Sequence, residues 1–401
     1  MMFGAKKAAL QKLLSLWKKG AFEVEYWDGT REKIGTGNPG FTLVWNREPS
    51  LKEIKPTDII LTIAEAYMSG LVDIRGNMDN VIRTMFVNDK EEQVVERYNF
   101  TKLRQKLDAG LEAEEAKDIH LHYDLGNDFF ALWLDKTMSY SYGYFETPQD
   151  SLARAQEQKI EHSLRKLRLK QGETLLDIGC GWGALVIRAA REYDIHAVGI
   201  TLSKEQCEGA NAKIKELGLE KRCQVRYLNY LDLDPHQEQF DKIVSIGMFE
   251  HVGKEFLPLY LYKVNSLLKE DGLFLLHSIM GTVTAPTNSF MHNYIFPGGY
   301  VPSVHETVAL FPDFRLNILN MESLRLHYAA TLDRWHANFM KQLPAVEKMY
   351  DKKFARMWSL YLRGCASAFR TGYLDVFQIL LAKTNSNDIP INAKYIYDEP
   401  R

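Results

Sequence analysis

The chain has 401 residues, 46% apolar and 25% charged, and its 50 basic and 52 acidic residues leave a net charge of −2. That composition excludes fibrous and disordered classes and gives no general affinity for nucleic acid. The four cysteines (Cys180, Cys207, Cys223, Cys365) form no CxxC pair, and no apolar run approaches the roughly 20 residues that span a bilayer, so the sequence reads as a reduced cytosolic protein.

The length suggests two domains, or one large domain with additions. Residues 1–20 carry Lys6, Lys7, Lys12, Lys18 and Lys19 and no acid, with Leu10, Leu13, Leu14 and Trp17 at helical spacing. Lys12 and Lys18 interrupt the apolar stretch, which does not read as a signal peptide. Such a helix can lie on an anionic membrane or pack its leucines on the protein, and the residues alone favour packing.

Residues 21–100 mix the strand-like runs AFEVEYW, FTLVW and DIILTI with turns at DGT and GNPG, then helical stretches. This is a small α+β domain, 1–100. Residues 101–118, rich in Lys, Glu and Ala, read as a partly helical charged linker. A second domain occupies 119–401.

From residue 174 the pattern alternates. Strands are predicted at TLLDI (174–178), IHAVGI (195–200), CQVRYL (223–228), KIVSIGM (242–248) and GLFLLHSIM (272–280). Helices are predicted from Ala184, from Ser203 and near 254–269. Apolar strands alternating with helices indicate an α/β fold with a parallel, doubly wound sheet. After Tyr328 the chain reads as helical through WHANFM, MWSLYL, CASAFR and YLDVFQILL.

Two motifs sit at predicted strand ends, where open α/β sheets bind ligands. LLDIGCGWG (175–183) places Asp177 before Gly179, Gly181 and Gly183 on a turn into a helix. Its G-x-G-x-G spacing differs from the pyrophosphate-binding G-x-G-x-x-G, and the next strand ends in GITLSKEQ rather than in an acid. Both features disfavour a dinucleotide dehydrogenase and favour S-adenosylmethionine (SAM), with Asp177 receiving its ammonium and Thr201 and Gln206 near its ribose. The second motif, SIGMFEHVG (245–253), sets Glu250 and His251 at the end of a buried strand, as a helix start or a reactive site.

Together these stretches resemble the cyclopropane fatty acid synthases and mycolic acid methyltransferases. The matching motifs also include HYDLGNDFF (122–130), WLDKTMSYS (133–141), LLHSI (275–279), YIFPGG (294–299) and YAATLDRW (328–335), so the resemblance runs from about 120 to 381. It extends loosely to AEAYMSGLVDIRG (64–76). It implies a SAM-dependent, Rossmann-like methyltransferase domain and a smaller N-terminal lipid-binding domain. The implied reaction moves methyl from SAM to the cis double bond of an unsaturated phospholipid acyl chain, followed by deprotonation and closure of a cyclopropane ring.

The resemblance also implies a bound bicarbonate as base, held by Glu250, His277, Tyr328 and backbone at Ile279 and Tyr142. It places Tyr140 and Ser141 at the methionine part of SAM and Gly179 on the loop. Thr201, Leu202 and Gln206 fall by the ribose, and Asn229, Tyr230 and Ile246 around the adenine. Tyr123 and Phe249 would face the carbocation, whose charge aromatic faces stabilise. Two positions depart from the family: Asn229 stands where relatives often have Asp, and Tyr142 replaces the cysteine of YSCAYF. His251 reads as structural. So do His120 and His122, and no metal site is expected.

The resemblance implies a cytoplasmic enzyme, peripheral on the inner membrane surface, with phospholipid bilayer as partner and a homodimer left open. In that context the membrane reading of the N-terminal helix draws level with the packing one. A lipid C-methyltransferase giving a methyl branch and an amine N-methyltransferase are the alternatives, with a non-enzymatic lipid carrier behind them.

Overall fold

The computed structural model describes residues 5–15, 20–50, 52–55, 59–86, 97–106, 125–286, 288–297, 299–383 and 389–397. Tyr123, His120, His122, Trp17, Lys18 and Lys19 lie outside them. The chain divides into two compact units, Met1–Arg97 and Tyr98–Arg401.

The first unit holds a four-stranded sheet of β1 (Ala21–Glu25), β2 (Arg31–Gly35), β3 (Phe41–Trp45) and β4 (Val72–Gly76), in the order β2-β1-β3-β4. β1 and β2 form a hairpin whose turn is held by Asp28, which accepts from the Thr30 backbone at 3.0 Å. Helix Ala5–Leu14 buries Leu10, Leu13 and Leu14 in this unit's core, beside Phe22 and Trp45. Lys6 pairs with Glu48 and Lys7 with Asp28. The leucine face that a membrane-lying helix needs is therefore occupied, and the described part of this helix packs.

DIILTI is not a strand: it opens helix Ile59–Met68. Thr62, Ile63 and Ala66 are buried while Leu61, Tyr67 and Met68 are exposed, which is a helical stripe. The run looked like a strand because its β-branched residues fill so short a window. Helix Phe100–Lys106 belongs to the second unit although most of it was read as linker. Phe100 stacks on Tyr262 with centroids 4.3 Å apart, Arg104 pairs with Asp232 at 3.1 Å, and Lys106 pairs with Glu255.

The second unit is built on seven strands: β5 (Thr174–Ile178), β6 (His196–Thr201), β7 (Cys223–Tyr227), β8 (Phe240–Ile246), β9 (Leu268–Gly281), β10 (Leu316–Ser323) and β11 (Leu374–Lys383). Their order is β7-β6-β5-β8-β9-β11-β10, parallel from β7 to β9, with β11 antiparallel to both its neighbours. YLDVFQILL, read as helical, is thus mostly strand. Residues 375, 376 and 379–383 are all buried, so β11 shows no alternation, and only its Val and Ile content could have marked it.

Strand order reverses between β5 and β8, so the glycine loop after β5 and the SIGMFEHVG turn after β8 open at the same end of the sheet, at its switch point. Beside them helices Arg325–Lys341 and Lys352–Thr371 form an aromatic core with Phe129, Trp133, Trp335 and Trp358. Among the described residues no helix is long and apolar enough to cross a membrane.

Candidate active site

The loop after β5 takes its shape from left-handed glycines. Gly179 has φ 82°, which strains any residue with a Cβ, and a Cβ there would lie 3.0 Å from Cβ of Met248, crowding the SIGMFEHVG turn. The amides of Gly179 and Cys180 both donate to the Ile200 carbonyl, tying the loop to β6. Gly183 begins helix Ala184–Glu192 and packs toward Ala210. It lines neither of the site's two cavities, unlike the other residues assigned to the cofactor side, so its part is in the turn.

The remaining cofactor-side residues, namely Tyr140, Ser141, Asp177, Gly179, Gly181, Thr201, Leu202, Gln206, Asn229, Tyr230 and Ile246, line one cavity of about 500 Å³. Thr201 donates to the Gln206 side-chain oxygen at 2.8 Å, which leaves that amide's NH2 as the group to offer a ligand. Asn229 likewise uses its oxygen to cap Leu231 N at 3.0 Å. Asp177 is buried, and its Oδ1 has no partner. Burial pushes its carboxyl up to about 7, against the opposing pull of Lys159.

Lys159 lines the same cavity and was not singled out from the sequence. It sits on helix Leu152–Leu167, on the buried stripe with Ala155, Ser163 and Lys166. Its Nζ donates to Ser141 Oγ at 2.9 Å, and burial brings its pKa down to about 8. A lysine at a core position of an amphipathic helix was the available signal.

A second cavity of about 500 Å³ adjoins the first, and Tyr140, Ser141, Gly247 and His251 line both. Gly247, at φ 67°, donates to the His277 carbonyl and turns the chain out of β8 into the short helical turn Phe249–His251. That turn brings Glu250 against β9. Its Oε1 accepts from the Ile279 amide at 2.6 Å, and its Oε2 is buried without a partner. Burial raises the Glu250 pKa to about 7.

His277, on β9, is buried with Nδ1 unpartnered, and burial holds it well below the usual imidazole range, hence neutral. Tyr328 from helix Arg325–Lys341 joins Glu250, His277 and Ile279 on the cavity wall. The rest of the lining is largely apolar and aromatic, including Phe296, Tyr361 and Phe369.

Four expectations need correction. Phe249 lines neither cavity: it is fully buried, edge-on to Tyr260 with centroids 5.3 Å apart, because the helical turn that aims Glu250 inward sends Phe249 into the core. Ile279 contributes no spare amide, since Glu250 already takes it. His251 lines both cavities, and burial lowers its pKa to about 4, so it stands neutral between them. Tyr142 lines neither cavity and is fully buried behind His277.

A family model described as mycolic acid cyclopropane synthetase matches residues 111–379. The chain belongs to that family. It is an enzyme with the Rossmann-like fold of the methyltransferases. A probable fatty acid methyltransferase of Pseudomonas putida is 36% identical over 389 residues, covering 93% of this chain and 95% of that one. The cyclopropane-fatty-acyl-phospholipid synthase of Escherichia coli K12 is 37% identical over 271 residues, 67% of this chain and 69% of its own. Among solved structures, the mycolic acid cyclopropane synthase CmaA1 complexed with SAH and CTAB matches with TM-score 0.62 at 36% identity, covering 66% of this chain and 97% of that one. Residues 9–95 match a separate domain of unknown function.

Proposed function

We propose that this enzyme transfers a methyl group from SAM to the cis double bond of an unsaturated phospholipid acyl chain and closes a cyclopropane ring. The observation that carries the reading is the pair of adjoining cavities: one built on the glycine loop with polar edges, the other apolar with Glu250 and His277 in its wall. SAM supplies an electrophilic methyl on a sulfonium. The groups in the first cavity match its parts, with Asp177 for the ammonium, the NH2 groups of Gln206 and Asn229 for ribose and adenine, and Tyr230 and Ile246 for the base's faces.

The second cavity, largely apolar, suits an acyl chain, which on filling it would displace the water that would trap a cation. Tyr328, Tyr361 and Phe369 line it, and aromatic rings there favour positive charge. Bicarbonate fits the polar wall, where Glu250 Oε2 and His277 Nδ1 lack partners; bound there it would supply a base for the proton released on ring closure. With its carboxyl near neutral pH, Glu250 can accept from or donate to such an ion. His277, being neutral, can donate one hydrogen bond without adding charge.

A methyl-branched product is the competing reading, supported by the name of the P. putida relative and by Tyr142 in the place of the family cysteine. We further propose that the enzyme works at the membrane surface from the cytoplasmic side, because its acceptor lies in lipid. The test is purified protein with SAM and unsaturated phospholipid vesicles, with products analysed by mass spectrometry after ozone treatment. A gain of CH2 in ozone-resistant chains is expected. A gain of CH2 in chains that ozone still cleaves would assign a branching enzyme, and no gain would refute methyl transfer to lipid.

A further inference from the structure

Lys159 and Asp177 are opposite charges on two different elements, both buried and both facing the cavity of the glycine loop. They do not pair with each other. Lys159 has one protein acceptor, the Ser141 hydroxyl at 2.9 Å, and Asp177 Oδ1 has none. Each influences the other's charge without contact. Two buried charges held apart in one cavity are costly unless a bridging group completes them. A group carrying an ammonium and a carboxylate on one carbon does so.

We propose that Lys159 binds the carboxylate of the amino-acid end of the nucleoside ligand, opposite Asp177 on its ammonium, so that the two form a clamp for a zwitterion. This inference rests on reading the cavity as a SAM site and adds the residue that selects its carboxylate.

The placement has a mechanical sense. Lys159 reaches the cavity beside Ser141, which with Tyr140 lines both cavities. An amino-acid end held there keeps the neighbouring sulfur close to the boundary that the methyl must cross. The hydroxyl of Ser141 is then a shared partner that orients the Lys159 ammonium.

The test compares three probes by calorimetry on the full chain: S-adenosylhomocysteine, its decarboxylated analogue, and 5′-methylthioadenosine. The wild type should prefer S-adenosylhomocysteine to the decarboxylated analogue by at least about tenfold, as a charge-assisted hydrogen bond requires. Lys159→Gln should erase that preference while leaving affinity for the other two probes within about threefold, and retained methylthioadenosine binding reports an intact fold. Asp177→Asn should weaken both amine-bearing probes and spare methylthioadenosine. Equal loss of all three probes in Lys159→Gln, or unchanged affinity for S-adenosylhomocysteine, would overturn the clamp. If the wild type binds none of the probes, the reading of the cavity itself fails, and the clamp with it.

Discussion

The ring of Tyr142 lies face to face with that of His277, centroids 4.8 Å apart and planes within 8° of parallel. Its hydroxyl is buried without a partner, so the phenol acts on this site as a flat wall. Tyr142→Phe should keep turnover within about threefold and leave stability equal or raise it by up to about 1 kcal/mol, since an unsatisfied hydroxyl is removed. Tyr142→Cys, which restores the residue that the family resemblance leads one to expect, empties the space of a ring. It should cost about 2–4 kcal/mol in urea unfolding and lower kcat more than it weakens binding of S-adenosylhomocysteine. A cysteine variant as stable and as active as the wild type would show that the ring does not brace His277.

Glu250→Gln should separate stability from activity. Burial raises the folded-state pKa from 4.5 to about 7, so the native state favours the protonated acid. The resulting cost is absent below about pH 4.5, grows as pH rises toward 7, and then levels off at about 3 kcal/mol. The amide escapes it. Denaturant titrations should find the variant level with the wild type near pH 4 and more stable at pH 8, while turnover falls about a hundredfold or more. An equal stability difference at both pH values would show that the carboxyl is not desolvated in the way its environment implies.

Binding of S-adenosylhomocysteine should be strongest between about pH 7 and 8. Asp177, raised to about 7, loses its charge below that value, and Lys159, lowered to about 8, loses its charge above it. Each arm should approach a tenfold loss per pH unit. Asp135 also favours the charged lysine, so Asp135→Asn should move the alkaline arm to lower pH. His277, held neutral through this range, adds no third step. Calorimetry from pH 6 to 9 gives the profile, and a flat curve would contradict it.

Leu14→Ala should destabilise the first unit by about 2–4 kcal/mol, because that side chain is fully buried among Leu10, Phe22 and Trp45. A helix held only by a membrane would lose vesicle affinity and leave unfolding in solution unchanged. Urea unfolding without lipid decides between the two.

Sequence patterns carried the parallel half of the sheet because its strands are apolar runs bounded by glycine, polar turns and amphipathic helices. They failed where a local window misstates the tertiary setting. Ile59–Met68 holds β-branched residues in a helix, and β11 is a strand buried along most of its length that shows no alternation. At the site, residues were legible when a motif framed them, as with Asp177, Glu250 and His277. Lys159 stayed hidden because an isolated lysine in a helix reads as solvated, although its spacing from Ala155 and Ser163 puts it on the helix's buried stripe. The inward aim of Glu250 and the opposite aim of Phe249, one residue apart, depend on a helical turn that no spacing rule anticipates.

The wall shared by Tyr140, Ser141, Gly247 and His251 makes the molecule two rooms with one common partition. On the proposed assignment, substitutions at Phe290 or Leu360, which line the second cavity and not the first, would alter which chains are accepted without touching the lining of the first. On that assignment the acceptor can change by substitution in one chamber, and Tyr140, Ser141, Gly247 and His251, shared by both, are where that freedom ends.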